Sequence, residues 1–234
     1  WPRLCQAAYL GAARLLGWTG RWRLGSDRRD PSGRLPDGPP GGSPRLWLHA
    51  GTRAGLDSAW PLIRGWQARH PGAGVVLTVR SEAAQAEGEA AAGPEVAVAL
   101  LPQDTPAAAR RFLTDAAPDV ALTLGPAPWP ALSRELARRR VPWLWLITNV
   151  LPAPWRWFDR LPCLFRPVLA RASEFLVAGE GDRGALVERG IGEDRIAVAG
   201  SPLLDHAPPP ERKAGRQLRT ALGGRPILFF EGTE

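Results

Sequence analysis

The sequence predicts an α/β protein whose parallel sheet is covered by helices on both faces, and two observations support this. From about residue 45 onward, short apolar runs alternate with longer segments of helical periodicity. The runs themselves have the near-continuous apolar character of strands that are buried on both sides. Strict alternation of the two element types is typical of a doubly wound, Rossmann-like fold.

Eight apolar runs are predicted to be strands: Arg45–Ala50, Val75–Arg80, Val96–Leu101, Val120–Leu124, Trp143–Thr148, Phe175–Ala178, Ile196–Ala199 and Ile227–Phe230. Seven intervening segments are predicted to be helices: Leu56–Arg69, Glu82–Ala92, Thr105–Ala116, Trp129–Arg140, Trp155–Ala172, Arg183–Arg189 and Glu211–Leu222.

The first 44 residues have a different character. Residues 1–24 place apolar side chains such as Leu15 and Trp18 at approximately helical spacing among arginines. Such a helix can lie on an anionic membrane surface or pack on its own domain, and the pattern leaves both open. Residues 25–44 are rich in proline and glycine and are predicted to form a linker.

Composition sets limits on the function. The 234 residues carry 30 Lys and Arg against 23 Asp and Glu, a net charge of +7, and Lys213 is the only lysine. Arginine suits phosphate and carboxylate groups, although a GC-rich coding sequence would also produce this excess. Two cysteines and three histidines exclude a zinc cluster or a disulfide framework as the organising device. No apolar stretch has the roughly 20 residues of a spanning helix.

Ligands of doubly wound sheets bind beyond the carboxyl ends of the strands, so the residues after each strand are the candidates. The turn His49–Gly55 has glycines that admit a ligand to the backbone, and a helix start that favours an anion. It has neither dinucleotide-binding nor P-loop spacing, and an ordinary tight turn would look the same. Asp57 is predicted to lie in the first helical turn, where the helix dipole alone accounts for a carboxylate.

Three later segments are also candidates for ligand binding. The loop Gly125–Pro130 is rigid and apolar, so it can shape a pocket but cannot move a proton. Asn149 ends an apolar strand, where its amide can bind a ligand or cap a turn. The arginines of the Arg156–Arg171 segment, set among aromatic side chains, form a surface that could hold acyl chains and phosphates, although core packing also explains the aromatics. Cys163 has no histidine near it in sequence.

Several landmarks keep the order and spacing of a known family, the bacterial 3-deoxy-D-manno-octulosonic acid (Kdo) transferases, over about residues 45–234. They include Arg45–Ala50, Pro118-Asp119, Trp129-Pro130, Arg138–Arg140, Asn149, Arg166-Pro167, Gly200, Asp205 and Pro208–Pro210. The resemblance implies the amino-terminal half of a glycosyltransferase B fold. It assigns residues 1–24 to an amphipathic membrane-associated helix, 45–206 to a Rossmann-like acceptor domain, and 207–234 to the start of a truncated donor-nucleotide domain.

The sequence differs from the family at the polar residues of the family's catalytic and binding motifs. The family's catalytic glutamate, in His-Ala-x-Ser-x-Gly-Glu, falls on Gly55, and Glu-Thr-Glu-Leu-Trp-Pro-Asn becomes Gly125–Ala131. The family's Asn-Ala-Arg becomes Asn149–Leu151, and its Gly-Asn-x-Lys-x-Asp becomes Gly200–Asp205. Asp57 is the nearest carboxylate to the missing base, but two helical positions turn a side chain by about 200°.

The resemblance therefore implies transfer of a sugar from CMP-Kdo to a lipid A precursor in lipopolysaccharide core biosynthesis, at the cytoplasmic face of the bacterial inner membrane. The alternative is a catalytically inactive relative that binds a glycolipid or a protein partner. A nucleic-acid partner is suggested by charge alone and is not expected; nor are a cofactor and a metal. The expected catalytic residue is Asp57; the expected substrate-binding residues are His49, Thr52, Arg53, Gly55, Arg80, Trp129 and Asn149; the expected donor-binding residues are Gly200 and Asp205.

Overall fold

Strands and helices alternate along the part of the chain described by the computed structural model, namely residues 11, 30, 32, 34, 35, 40–125, 129–147 and 161–202. The strands are β1 (Gly42–Ala50), β2 (Ala73–Val79), β3 (Val96–Leu100), β4 (Val120–Leu124), β5 (Trp143–Ile147), β6 (Glu174–Val177) and β7 (Ile196–Val198). The helices are α1 (Arg53–Arg69), α2 (Glu82–Ala91), α3 (Pro106–Ala116), α4 (Pro130–Arg139), α5 (Pro162–Arg171) and α6 (Glu180–Glu188).

The seven strands form one parallel sheet in the order β3-β2-β1-β4-β5-β6-β7. This order confirms the predicted doubly wound fold. The chain moves outward from β1 in one direction to β3, and then returns to build β4 to β7 on the other side. The order reverses between β1 and β4, and crevices for ligands form at such reversals.

Both faces of the sheet are buried, as the apolar runs predict. Because side chains alternate along a strand, Trp47 joins one core cluster while Leu46 and Leu48 join the other. The first cluster is the more aromatic and includes Trp143, Trp145, Phe112 and Phe175. The second packs the strands against α1.

The main correction to the predicted elements is at the start of α1. The helix begins at Arg53, whereas the sequence predicts Leu56, because the Thr52 side chain caps it by accepting the N–H of Gly55. A threonine cap contributes about 1 kcal/mol and offsets the cost of glycine in the first turn. Asp57 is consequently the fifth helical residue, and the prediction that it lies in the first turn is wrong. Helix α6 likewise begins earlier, at Glu180.

The segment predicted as a linker is ordered where it is described. Strand β1 begins at Gly42, inside that segment. The N–H of Asp30 donates to the carbonyl of Leu101 at 3.1 Å, and its carbonyl accepts the N–H of Gln103 at 3.0 Å. Leu35 is buried in the aromatic core. Two backbone hydrogen bonds and a buried leucine therefore attach these positions to the rest of the fold, while the linker over residues 25–44 stays a prediction.

Some predictions fall outside the described residues. These are the amphipathic helix over 1–24 apart from Gly11, the strand Ile227–Phe230, the helix Glu211–Leu222, the donor domain from 207, and the first residues of the Trp155–Ala172 helix. Across the ranges that the structure does describe, every helix is too short or too polar to cross a membrane.

Candidate functional site

The candidate site lies at the carboxyl ends of β1 and β4, where the strand order reverses. Sheets of this type bind ligands in a crevice at that point, and we call this region the crevice. After β1 the chain turns through Gly51 and Thr52 into α1. After β4 it reaches Gly125, whose φ of +91° lies in the left-handed region that favours glycine. The N-terminus of α1, where the Gly55 N–H donates to Thr52 Oγ1, lies at this end of the sheet, and the helix dipole favours an anionic group there.

Gly55 faces the crevice. A side chain there would begin 3.2 Å from Thr52 Oγ1, 3.7 Å from Ala50 Cα and 3.7 Å from Leu124 Cβ. These neighbours come from the β1 turn and the end of β4, on the two sides of the switch point. The position that the family resemblance assigns to the catalytic glutamate therefore points at the candidate site, although glycine supplies no carboxylate.

Asp57 belongs to a different face of α1. Its Oδ1 lies 3.4 Å from Nε of Arg53, and Nη1 of Arg53 reaches the carboxylate of Glu87 on α2 at 2.5 Å. The Arg53 guanidinium thus bridges α1 to α2, which lies on the β2 and β3 side of the sheet. Asp57 therefore faces away from the β4 side. The proposed roles of Arg53 as a substrate ligand and of Asp57 as a base stay predictions, and both compete with this bridge.

His49 and Trp129 form the floor of the crevice. His49 is 2% exposed at the end of β1, and its Nδ1 lies 3.0 Å from Thr78 Oγ1. The Trp129 ring packs edge-on against the imidazole, with centroids 4.7 Å apart, and stacks on Trp47 at 6.2 Å. Both predicted substrate-binding residues therefore lie at the crevice but are buried beneath its surface.

Arg80 lies next to this floor. It follows β2 directly and is exposed. A methyl group at Gly51 would lie 3.6 Å from Arg80 Cδ and 3.3 Å from His49 Nε2. The structure thus brings His49, Gly51 and Arg80 together at one end of the sheet.

Gly200, one of the two predicted donor-binding residues, lies away from the crevice. Gly200 follows β7 with φ of +78°. Four strand spacings of about 4.8 Å separate β7 from β1, so Gly200 lies roughly 19 Å along the sheet from Ala50. Asp205 and Asn149 lie outside the described residues. Residues 126–128 of the Gly125–Pro130 loop also lie outside the described residues, and so do the arginines of the Arg156–Arg171 segment that precede residue 161.

Asp104 is a positioning residue, whereas the sequence places it only among the residues that follow a strand. It is 5% exposed, and its carboxylate accepts the N–H groups of Ala131 and Leu132 at 2.9–3.2 Å. It therefore caps α4, whose own preceding residue, Trp129, makes no side-chain cap. A carboxylate at a helix N-terminus is also favoured by the dipole. In the sequence, Asp104 is visible only as a polar residue that follows β3. Nothing there indicates its capping role, because Ala131 lies 27 positions away.

A second buried carboxylate holds α4 to α3. Glu135 binds Arg138 at 2.6 Å and Arg139 at 3.0 Å, and Arg139 Nη1 donates to the Leu113 carbonyl on α3. The hydrogen bond from Arg138 lowers the pKa of Glu135, against the opposing effect of burial. This cluster stabilises the helix that carries Trp129. Among the described residues, no group of three His, Cys, Asp or Glu side chains could hold a metal ion.

Comparison with solved structures confirms the fold. The chain is similar to UDP-GlcNAc 2-epimerase from Neisseria meningitidis, at TM-score 0.52 and 14% identity, over 76% of this chain and 54% of that one. It is also similar to the enzyme of that name from Rickettsia bellii, at TM-score 0.51 and 15% identity, over 76% and 51%. The chain therefore spans about half the length of these proteins. The predicted half of a glycosyltransferase B fold is confirmed, and identities this low show the fold alone.

Comparison with family models goes further. No curated protein matches the sequence. The model described as 3-deoxy-D-manno-octulosonic-acid transferase (kdotransferase) matches residues 18–205, which is well over half of the chain and includes the whole crevice. The chain belongs to the 3-deoxy-D-manno-octulosonic-acid transferase family.

Proposed function

We propose that the protein is a glycosyltransferase of lipopolysaccharide synthesis that transfers Kdo from CMP-Kdo to a lipid A precursor. The observation that carries the proposal is the family match over residues 18–205, which includes the crevice at the switch point. The half described here would hold the acceptor. The N-terminal end of α1 and the exposed Arg80 side chain support this role, because a helix dipole and a guanidinium both favour phosphates.

The reaction needs a base on the attacking hydroxyl and electrostatic support for the departing phosphate. The position aimed at the crevice is Gly55, and Asp57 is bound to Arg53 on another face of α1. If α1 supplies the base, Asp57 has to leave this ion pair. An exposed pair such as this is worth only about 0–1 kcal/mol, so leaving it is energetically possible.

We further propose that the protein works at the cytoplasmic face of the inner membrane. Leu161 is 42% exposed at the start of α5, and Arg166 is exposed one turn later. An apolar side chain beside an arginine suits a surface that contacts acyl chains and phosphates together. The anionic membrane contact of residues 1–24 is part of the same proposal.

The experiment is a transfer assay with CMP-Kdo and a lipid A precursor, using the full-length protein and the same protein carrying Arg80→Gln. Transfer by the first and weaker acceptor binding by the second, seen as a raised KM, are expected. Absence of transfer would contradict the proposal. Arg64→Gln, which removes an exposed cation toward the far end of α1, is the charge-matched control.

A second function is favoured by a specific observation, namely glycine at the position that faces the crevice in place of a carboxylate. The protein would then be a relative that binds a glycolipid or a protein partner without catalysing transfer. Retained binding of the lipid A precursor with no turnover of CMP-Kdo would support this function over the first.

A further inference from the structure

A buried hydrogen-bond relay runs beneath the crevice through three side chains on two neighbouring strands. Nε1 of Trp47 donates to Thr78 Oγ1 at 2.9 Å, and the same oxygen lies 3.0 Å from Nδ1 of His49. Thr78 lies opposite His49 in the β1–β2 register. Trp47 and Thr78 are 0% exposed and His49 is 2% exposed, so their polar atoms need protein partners in place of bulk water.

The direction of each hydrogen bond follows from the donor inventory. An indole N–H only donates, so Thr78 Oγ1 accepts from Trp47. The hydroxyl proton of Thr78 then needs an acceptor. Within the described part of the chain, the side-chain oxygen of Thr78 has Trp47 and His49 as its partners. The imidazole Nδ1 of His49 is therefore the acceptor, and it can accept only when it carries no proton.

The alternative arrangement is unfavourable. If Nδ1 of His49 carried the proton, Thr78 Oγ1 would accept from both rings, and its own hydroxyl proton would be buried without an acceptor. An unsatisfied buried donor costs about 1–3 kcal/mol, which corresponds to roughly a tenfold to hundredfold bias against that state. The imidazolium form has the same defect, because it too carries a proton on Nδ1.

We infer that Trp47 and Thr78 hold His49 as the neutral tautomer protonated on Nε2, so that His49 serves the crevice as a hydrogen-bond donor and not as the base. The Nε2 atom lies on the Gly51 side of the ring, where a methyl group at Gly51 would be only 3.3 Å away. The edge-on contact with Trp129 fixes the ring plane. Thr78 is in this view a positioning residue that acts through His49.

The role in the crevice rests on the proposed function, whereas the tautomer follows from the fold alone. Glycine at position 55 makes His49 a plausible substitute base at first sight. The relay excludes that role at Nε2, which already holds its proton, and at Nδ1, which is bonded to Thr78. A donor at Nε2 can instead orient an oxygen of the bound sugar or stabilise its developing charge.

The first test is ¹⁵N–¹H correlation spectroscopy of the histidine rings at neutral pH. The chain has three histidines, and loss of one ring system in His49→Gln assigns the signals of His49. The wild-type protein is expected to show a protonated Nε2 and an unprotonated Nδ1. Thr78→Ser keeps the hydroxyl and should keep this signature, whereas Thr78→Val should give a mixture of tautomers.

Thr123→Val is the matched control, because Thr123 lies opposite His49 on β4 and is also buried, with its hydroxyl 3.5 Å from the Leu144 carbonyl. It should leave the His49 signature unchanged. A proton on Nδ1 in the wild type would overturn the inference, and so would an unchanged spectrum in folded Thr78→Val. The wild-type spectrum and Thr78→Ser decide the matter if Thr78→Val fails to fold.

The second test separates donor from base in the transfer assay. Glutamine places an amide N–H near the position of Nε2, so His49→Gln should retain at least tenfold more kcat than His49→Ala. Equal loss in the two variants would overturn the donor role. If the wild-type protein shows no transfer, the proposed function fails while the spectroscopic result still stands or falls by itself.

Discussion

The carboxylate of Asp104 accepts the backbone N–H of Leu132 at 2.9 Å, and this bond ties the loop after β3 to the start of α4. The residue just before α4 is Trp129, which packs on His49. One carboxylate outside the crevice thus sets the position of the helix that closes the crevice floor.

Replacing Asp104 by alanine should destabilise the protein by about 1–3 kcal/mol, because it leaves the N–H groups of Ala131 and Leu132 buried without an acceptor. Asp104→Asn should cost less, since its amide oxygen still accepts one of them. Urea unfolding measures both. Asp115→Asn, on α3, is the control and is expected to stay within about 0.5 kcal/mol of wild type.

Gly55→Glu should raise the transfer rate if the crevice lacks only a base. General-base catalysis typically contributes ~10²–10⁴ in rate, and a side chain at position 55 starts toward the crevice. Thr52 Oγ1, 3.2 Å from the new Cβ, must shift by a few tenths of an ångström. Gly55→Gln has nearly the same shape without a basic carboxylate, so equal rates for the two variants would refute the base interpretation.

Asp57→Asn tests whether Asp57 is the base. If it is, kcat should fall by ~10²–10⁴ with the fold intact. Glu87→Gln is the matched control, because it removes the other carboxylate of the same Arg53 bridge without touching Asp57. An unchanged kcat in Asp57→Asn, or the same loss in Glu87→Gln, would leave Asp57 only a structural role.

The Glu135 cluster should make the protein sensitive to acid. Because the pKa of Glu135 is lowered in the folded state, its stabilising effect is present above the ordinary value of 4.5 and is lost as pH falls through the folded-state pKa. Glu135→Gln should cost about 1–3 kcal/mol at neutral pH. The difference from wild type in urea unfolding should shrink below about pH 4.5, and a constant difference down to pH 3 would contradict this assignment.

Sequence patterns predict the strands and helices well, because the formation of each element depends mainly on residues that are neighbours along the chain. The run Val120–Leu124 is a strand with the predicted bounds, since its apolar side chains serve a sheet buried on both faces. The start of α1 was predicted too late, because the glycines around position 55 suggested a turn while the hydroxyl of Thr52 closes the first helical turn. The attachment of Asp30 to the sheet is equally invisible to local patterns, since its hydrogen-bond partners lie beyond β3.

The sequence indicates where the candidate site lies, but it does not predict the chemistry of that site. The rule that ligands bind at the carboxyl ends of strands singled out His49, Gly55 and Arg80, and the structure places them around the β1 turn. The partners of these residues were not predictable. Thr78 is 29 positions from His49, and Glu87 is 34 positions from Arg53.

By itself, the sequence determined the alternation of strands and helices, their burial, and the family to which the chain is similar, because periodicity and motif spacing are written along the chain. Only the tertiary structure decided that Gly55 faces the crevice while Asp57 faces Arg53, and that His49 meets Thr78 and Trp129. These relationships arise when the sheet brings distant segments within hydrogen-bonding distance, and such contacts depend on strand order and register, which no local pattern specifies.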